Sequence, residues 1–168
     1  MSKHGLIIVA AGTGERMGLA TPKILIPLNG IPLLMHTIQS FQMWPIFSEK
    51  IVMVSRDILK SVSALLPLGW QCLLGGKSRQ ESMGLGLDAI SRDCQYIWVH
   101  DGARPFISKN LLERLQKTVE AGNNCIASHT DLVKKLIKRS FVPNCFSICG
   151  LYFTRSSMIL LISTSLKV

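Results

Sequence analysis

Short apolar runs alternate along this chain with stretches whose apolar residues recur at helical spacing. Leu6–Ala10 is a run rich in β-branched residues that meets glycines at once, which is typical of a buried strand entering a loop. Further on, Leu34, Ile38 and Phe41 share one helical face, and Asp57 is the predicted N-cap of the next helix. The predicted strands are 6–10, 50–55, 70–74, 96–100 and 124–128, and the predicted helices are 32–41, 57–66, 81–91 and 109–121.

This alternation predicts an α/β fold, a three-layer Rossmann-like arrangement with a mainly parallel sheet and helices on both faces. The length of 168 residues suits one domain, and a hydrophobic content of 48% can supply its core. Ligands of such sheets bind beyond the carboxyl ends of the strands. Polar, glycine-containing segments follow Ala10, Leu74 and Val99, so we expect three loops to meet at one edge of the sheet.

The pattern weakens after Asp131. Residues 132–168 contain six basic residues and no acidic one, within a chain of net charge +9. The apolar stretch Met158–Ile162 fits either a strand or a helix end. We therefore predict a core over 1–134 and a divergent or truncated C-terminal segment over 135–168, with a sheet that is incomplete at that end.

Several classes of protein are disfavoured by the composition. No long apolar core of a signal peptide opens the chain, and Met158–Ile162 is far shorter than the roughly 20 residues that span a bilayer, so a cytoplasmic protein without membrane contact is expected. The basic run Lys134–Arg139 lacks the interleaved aromatic residues of single-strand nucleic-acid binders. The five cysteines include no Cys-x-x-Cys pair, which favours free, mostly buried thiols over disulfides or a zinc site.

The first candidate segment directly follows the first predicted strand. Its small residues allow close approach of a ligand, and its backbone amides can bind phosphate oxygens. Arg16 and Lys23 add two cations, so the combination predicts a triphosphate site. The alternative is an ordinary glycine turn between a strand and a helix, and the spacing fits neither a Walker A loop nor a Rossmann fingerprint. The small residues are Ala10, Ala11, Gly12 and Gly14.

A second glycine segment, Gly75-Gly76, precedes the third predicted helix. Ser78 followed by Glu81 three residues later is typical of a helix cap. Backbone amides, a carbonyl and the hydroxyl of Ser82 can instead recognise a polar base edge. Both interpretations can hold together.

A third segment follows the predicted strand at 96–100. A carboxylate at a strand end, here Asp101, is placed to hold Mg²⁺ or a sugar hydroxyl, and Arg104 is a candidate for binding a phosphate. The alternative is a structural turn closed by an Asp101–Arg104 pair.

Together the three segments resemble the 2-C-methyl-D-erythritol 4-phosphate cytidylyltransferase family. Residues 10–18 with Pro22-Lys23 and Leu28-x-Gly30-x-Pro32 resemble the opening of nucleotidyltransferases with a glycosyltransferase-A-like fold, the nucleotide-diphospho-sugar transferase type. Gly-Gly-x-x-Arg-x-x-Ser at 75–82 is similar to the base-recognition segment of the cytidylyl branch. His-Asp-x-Ala-Arg-Pro at 100–105 resembles a segment of the methylerythritol phosphate and pentitol phosphate cytidylyltransferases.

The resemblance implies roles for the residues of all three segments. Arg16 and Lys23 are the implied catalytic residues, which neutralise phosphate charge during the attack. A Mg²⁺ cofactor is implied, with Asp101 as its protein ligand. The other implied contacts are those of the first loop with the nucleotide, of Gly75, Gly76 and Ser82 with cytosine, and of Asp101 and Arg104 with an acceptor hydroxyl or a phosphate.

The implied reaction transfers CMP from CTP to 2-C-methyl-D-erythritol 4-phosphate, releasing pyrophosphate and forming a precursor of non-mevalonate isoprenoid synthesis. The implied partners are CTP, a polyol phosphate and a second copy of the chain, with no nucleic acid and no membrane. The resemblance covers Leu6 to Lys134, with Leu132 at a position where a threonine is expected, and the arm that pairs subunits is not recognisable beyond it. Two alternatives remain open: a ribitol 5-phosphate cytidylyltransferase and a catalytically impaired nucleotide-binding fragment.

Overall fold

The computed structural model describes residues 3–12 and 21–121 and the backbone of two further strands, at 125–127 and 159–163. One sheet has six strands in the order β5-β4-β1-β6-β8-β7, and a separate hairpin pairs β2 with β3. Strands β5, β4, β1 and β6 are parallel, whereas β8 runs antiparallel to both of its neighbours. The strands are β1 (His4–Ala10), β2 (Pro27–Leu28), β3 (Ile31–Pro32), β4 (Phe47–Val54), β5 (Gln71–Leu74), β6 (Tyr96–Asp101), β7 (Cys125–Ala127) and β8 (Ile159–Ser163); the helices are α1 (Leu33–Gln42), α2 (Leu59–Leu65), α3 (Arg79–Ala89) and α4 (Lys109–Glu120).

Helices cover both faces of the sheet, as the sequence predicts. Successive side chains of a strand point to opposite faces, so Leu6 and Ile8 of β1 join one core and Ile7 joins the other. The first core contains buried residues of α1, α2 and α4, and the second contains Met83 of α3. The strand β1 is buried along its whole length, which explains the uninterrupted apolar run Leu6–Ala10 within it.

The predicted element boundaries lie close to the observed ones, but Asp57 is not the N-cap of α2. A 3-10 turn covers Arg56–Ile58 and contains Asp57, and α2 begins only at Leu59 without a side-chain cap. The residue that precedes the turn is Ser55. Asp57 therefore lies inside the turn, one residue before the N-cap position of α2, which is occupied by Ile58.

The last two strands differ most from the sequence-based expectation. A strand near 124–128 is present as β7, but it pairs antiparallel with β8 instead of extending the parallel set. The apolar stretch near 158–162 is the strand β8, which lies between β6 and β7. The division of the chain at residue 134 stays a prediction, although β8, from the predicted C-terminal segment, pairs within the same sheet.

Two cysteines of the described part of the chain, Cys72 and Cys94, are free thiols. Burial raises the pKa of both, which lowers their thiolate fraction and their reactivity. The other three cysteines lie outside the residues whose side chains are described. Among the described helices, none combines the length and the apolar character that crossing a membrane requires.

A buried histidine closes the end of the sheet opposite the strand carboxyl ends. His4 is 2% exposed, and its Nδ1 accepts a hydrogen bond of 3.1 Å from Nε1 of Trp98. The proton of the neutral ring is therefore on Nε2, 3.6 Å from the Glu120 carboxylate. Burial lowers the pKa of His4 below its ordinary value, and the nearby carboxylate of Glu120 opposes the shift only in part.

We expect the protein to lose stability as the pH falls through the ordinary histidine pKa of 6.5. The unfolded state takes up a proton that folded His4 resists, so this contribution to the free energy of unfolding is present above pH 6.5 and is lost below it. Thermal melts between about pH 7.5 and pH 5.5 measure the slope. His4→Asn keeps an acceptor near the Nδ1 position but does not titrate, so its slope should be smaller; equal slopes would contradict the assignment.

Candidate functional site

The register of the strands aligns the three predicted loops at one edge of the sheet. Val54 of β4 is the partner of Ala10 in β1 and of Leu74 in β5. On the other side of β1, Val9 is the partner of Asp101 in β6. The loops that follow Ala10, Leu74 and Asp101 therefore leave the sheet side by side, and the predicted convergence is confirmed.

A cavity of about 630 Å³ lies between these loops, within the range of small-molecule sites. Most of the predicted site residues line it. Gly75 instead lines an adjoining cavity of about 650 Å³, which shares Gly76 and Lys77 with the first. Gly14 and Arg16 lie outside the described residues, so their predicted roles stay predictions. The predicted residues that line the first cavity are Ala10, Ala11, Gly12, Lys23, Gly76, Ser82, Asp101 and Arg104.

Glycine is required in two of the loops because neighbouring loops approach each other closely. A Cβ placed on Gly75 would collide with Cβ of Ala11 and lie 2.9 Å from Oγ of Ser82. A Cβ placed on Gly102 would lie 2.8 Å from Cβ of Ala10. The first loop is thus packed between the other two, which fixes the backbone that borders the cavity.

Helix α3 begins at the glycine loop and is tied to it by three side chains. Oγ of Ser78 accepts a hydrogen bond of 3.0 Å from the Glu81 amide, which confirms the predicted cap. The Glu81 carboxylate accepts a 2.7 Å bond from the Lys77 amide. Oγ of the fully buried Ser82 accepts a 3.0 Å bond from the Gly76 amide and donates a 2.8 Å bond to the Ser78 carbonyl. Ser82 therefore holds the shape of the loop, and its predicted contact with cytosine stays a prediction.

Lys23 reaches the cavity from a separate turn. It opens the 3-10 turn Lys23–Leu25, which is anchored by the buried Ile24. The following hairpin turns through Asn29 and Gly30, both at positive φ, as an Asn-Gly hairpin requires. Lys23 is exposed and lines the cavity, so its ammonium can meet a bound ligand.

Asp101 is held by two arginines. Arg79 donates from Nε to Oδ1 at 2.7 Å, and its Nη2 lies 2.6 Å from the same oxygen. Arg104 donates from Nε to Oδ2 at 3.0 Å, and its amide bonds the Asp101 carbonyl at 3.1 Å. The Asp101–Arg104 turn weighed from the sequence is therefore present, and it lies within the candidate site. Arg79 was not among the predicted site residues, although it is the arginine of the Gly-Gly-x-x-Arg-x-x-Ser pattern.

Two hydroxyl groups of helix α1 donate hydrogen bonds to the loop that follows Asp101. These contacts were not predicted from the sequence. Oγ1 of the fully buried Thr37 donates a 2.9 Å bond to the Gly102 carbonyl, and Ser40 donates a 2.8 Å bond to the Pro105 carbonyl. Nε2 of His100 lies 2.9 Å from the Arg104 carbonyl, to which it donates. The available signal was a polar residue, Thr37, on the apolar face formed by the buried side chains of α1.

We expect Thr37→Val to destabilise the protein by about 1–2 kcal/mol, because the Gly102 carbonyl would lose its partner at nearly constant volume. The loop beside Asp101 should loosen at the same time. Urea unfolding measures the change in free energy. The matched control is Thr118→Val, on the exposed face of α4, where the hydroxyl bonds only a carbonyl of its own helix. Equal effects of the two substitutions would show that the Gly102 contact is of no special importance.

The charge of the cavity is strongly positive. Four cationic side chains line it, and Asp101 is the single carboxylate among the described lining residues. Both oxygens of that carboxylate are already paired with arginines. A polyanionic ligand therefore complements this surface. The four cationic residues are Lys23, Lys77, Arg79 and Arg104.

The model of the family named 2-C-methyl-D-erythritol 4-phosphate cytidylyltransferase (IspD) matches residues 5–147. The chain belongs to this family. The enzyme of that name from Alkaliphilus oremlandii is 37% identical over 135 residues, which cover 76% of this chain and 57% of the relative. The enzyme of that name from Clostridium botulinum strain Loch Maree is 33% identical over 118 residues, which cover 67% of this chain and 52% of the relative.

Solved structures of the family share the fold. The bifunctional IspDF from Campylobacter jejuni superposes with a TM-score of 0.66 at 25% identity, covering 76% of this chain and 33% of that one. The 4-diphosphocytidyl-2C-methyl-D-erythritol synthase from Anaerococcus prevotii gives 0.60 at 26% identity, with 77% and 56% covered. The predicted α/β fold is thereby confirmed. The chain spans about half the length of the curated relatives it matches.

Proposed function

We propose that this chain forms the nucleotide half of a cytidylyltransferase, which transfers CMP from CTP to 2-C-methyl-D-erythritol 4-phosphate. The main support is the cationic cavity, bordered by three loops that all lie within the residues matched by the family model. A phosphate oxygen of the acceptor attacks the α-phosphorus of CTP, and pyrophosphate leaves. The acceptor phosphate is already an anion, so no general base is required.

In this reaction the protein positions the two substrates and stabilises charge. We assign Lys23 and Arg16 to the triphosphate and to the charge that develops during the transfer. The backbone of the glycine loop, held by Ser82, is assigned to cytosine, because adjacent amides and carbonyls can match its donor and acceptor edge. Arg104 is assigned to a phosphate or to the order of its own loop.

Mg²⁺ fits this site only if the nucleotide phosphates supply most of its ligands. Among the described residues no group of three or more His, Cys, Asp and Glu side chains could hold a metal ion. One carboxylate together with substrate phosphates is a common set of ligands for Mg²⁺. We therefore propose Asp101 as the protein ligand, where the ion would neutralise phosphate charge.

A second candidate is a chain that binds CTP without completing the transfer. It spans only about half of its curated relatives, so groups that hold the acceptor in them can lie beyond the matched part. The cytoplasmic location, the homodimer and the absence of a nucleic-acid partner remain expectations.

The test is a pair of measurements on the full chain. Thermal melts with Mg²⁺ and CTP, UTP, GTP or ATP should show a stabilisation selective for CTP, of about 2.7 kcal/mol at a concentration of ~100 Kd. Pyrophosphate release is then measured with 2-C-methyl-D-erythritol 4-phosphate and with ribitol 5-phosphate as acceptors. Release with the first acceptor supports the transferase, and binding without release supports the second candidate. A cooperative melt unmoved by CTP would contradict both.

A further inference from the structure

The side chain of Arg79 joins the start of α3, directly after the glycine loop, to the Asp101 carboxylate of β6. Arg79 is the first residue of α3, directly after the cap Ser78, and its side chain is 31% exposed. From there its guanidinium reaches Oδ1 of Asp101 with two nitrogens, at 2.7 and 2.6 Å. The segment assigned to the base and the residue assigned to the metal are thus connected by one ion pair.

The pairing leaves Asp101 poorly suited to a bare cation. Arg79 covers one of its oxygens and Arg104 the other, and its side chain is 22% exposed. Lys23 and Lys77 add two more positive charges around the same cavity. A divalent ion without a counter-anion would have to compete with two guanidiniums in a field that repels it.

A triphosphate changes this balance because it brings negative charge to the same four cations. Guanidinium groups bind phosphate oxygens as readily as they bind carboxylates. A bound nucleotide can therefore draw the guanidinium groups of Arg79 and Arg104 away from Asp101. The carboxylate is then available to the metal ion that the nucleotide brings with it.

We propose that Arg79 makes divalent-cation binding at Asp101 conditional on the nucleotide. Without nucleotide, the ion pair of Arg79 with Asp101 competes with a free cation for the carboxylate. The same ion pair holds the carboxylate in the orientation that an ion bound to the nucleotide phosphates requires. The inference rests on the proposed function as far as the nucleotide is concerned. The alternative is a purely structural role, in which Arg79 is a brace that holds α3 against β6. Loss of that brace would lower the affinity of the site for every ligand.

The two roles predict opposite signs for one measurement. In Arg79→Gln the bare cation loses a competitor and a source of repulsion, so Mn²⁺ without nucleotide should bind about tenfold more tightly than to the wild type. The same variant loses a phosphate-binding charge, so Mn²⁺·CTP should bind about tenfold more weakly. A brace gives weaker binding in both experiments.

The experiment uses the full chain, with electron paramagnetic resonance for free Mn²⁺ and calorimetry for Mn²⁺·CTP. Arg79→Lys keeps the charge but not the two-nitrogen contact, so it should recover most of the CTP affinity. Arg92→Gln is the matched control: Arg92 is exposed beyond the end of α3 and does not line the cavity, and both affinities should stay at wild-type values. Adding Asp101→Asn to Arg79→Gln should remove the gain in Mn²⁺ affinity.

The proposal is overturned if Arg79→Gln binds bare Mn²⁺ no more tightly than the wild type, or if the gain survives Asp101→Asn. If glutamine at position 79 prevents a cooperative melt, Arg79→Met decides, because it also removes the charge that competes for Asp101 and must likewise bind bare Mn²⁺ more tightly. A wild-type chain that shows no selectivity for CTP refutes the proposed function alone, since the measurement of bare Mn²⁺ needs no nucleotide.

Discussion

Gly75→Ala should abolish the stabilisation by CTP and lower the free energy of unfolding by about 1–3 kcal/mol. The new methyl group would collide with Cβ of Ala11, which belongs to the first loop, and would press on Oγ of the buried Ser82. Neither neighbour is the far end of a flexible side chain, so the two loops must move apart. Because their backbones border the cavity, the displacement falls directly on the proposed nucleotide contacts.

Gly84→Ala is the matched control for this substitution. Gly84 lies in α3, and a Cβ placed on it meets nothing within 4 Å. Alanine there should stabilise the helix by roughly 0.5–1 kcal/mol and leave the response to CTP unchanged. Melts of both variants with and without CTP and Mg²⁺ make the comparison. A Gly75→Ala protein that still gains wild-type stability from CTP would show that close packing of the two loops is not needed for binding.

The sequence predicted the part of the fold that depends on local patterns. The strand β1 is buried on both faces, which matches its apolar run Leu6–Ala10, and the face of α1 that contains Leu34, Ile38 and Phe41 is buried as expected. The convergence of three loops followed from one rule, that parallel strands end at the same edge of a sheet. These predictions needed no knowledge of distant contacts.

Pairing between distant segments could not be predicted in the same way. The strand β8 lies beside β6, although more than fifty residues separate them, and its short apolar sequence is compatible with either a strand or a helix end. The N-cap at Asp57 failed for a different reason. An acidic residue before an apolar stretch is typical of a cap, but a 3-10 turn delays the start of α2.

In the candidate site, too, local patterns could be predicted from the sequence and contacts between distant residues could not. Lys23 was predicted as a cation for phosphate and Asp101 as a strand-end carboxylate for Mg²⁺ or a hydroxyl, and both line the cavity. Arg79 was missed because its importance depends on a partner 22 residues away. Thr37 was missed because a single polar residue on an apolar helix face has many ordinary explanations, and only the structure places the Gly102 carbonyl opposite its hydroxyl. The residues that position the loops were therefore harder to predict than those expected to touch the ligand.

Lys23→Gln should weaken CTP binding by about ten- to a hundredfold, because a charge-assisted hydrogen bond to a phosphate contributes about 1.5–3 kcal/mol. The stability of the protein without ligand should stay unchanged, since Lys23 is exposed and makes no ion pair within the described residues that would be lost. Isothermal calorimetry with Mg²⁺·CTP measures the affinity. The loss should shrink as salt is added, because screening weakens the wild-type contact as well.

Lys60→Gln separates this effect from a general loss of positive charge. Lys60 is exposed on α2 and does not line the cavity, so its substitution removes the same charge from a different place. CTP affinity should then stay close to that of the wild type. If both variants lose affinity equally, the attraction is a property of the net charge and not of the cavity. If neither loses affinity, Lys23 takes no part in binding the nucleotide. Kinetics can separate two roles of Lys23 if the chain releases pyrophosphate. In Lys23→Gln, a fall in kcat at saturating CTP would show that Lys23 stabilises the charge that develops during the transfer. A rise in KM alone would show that Lys23 only holds the substrate.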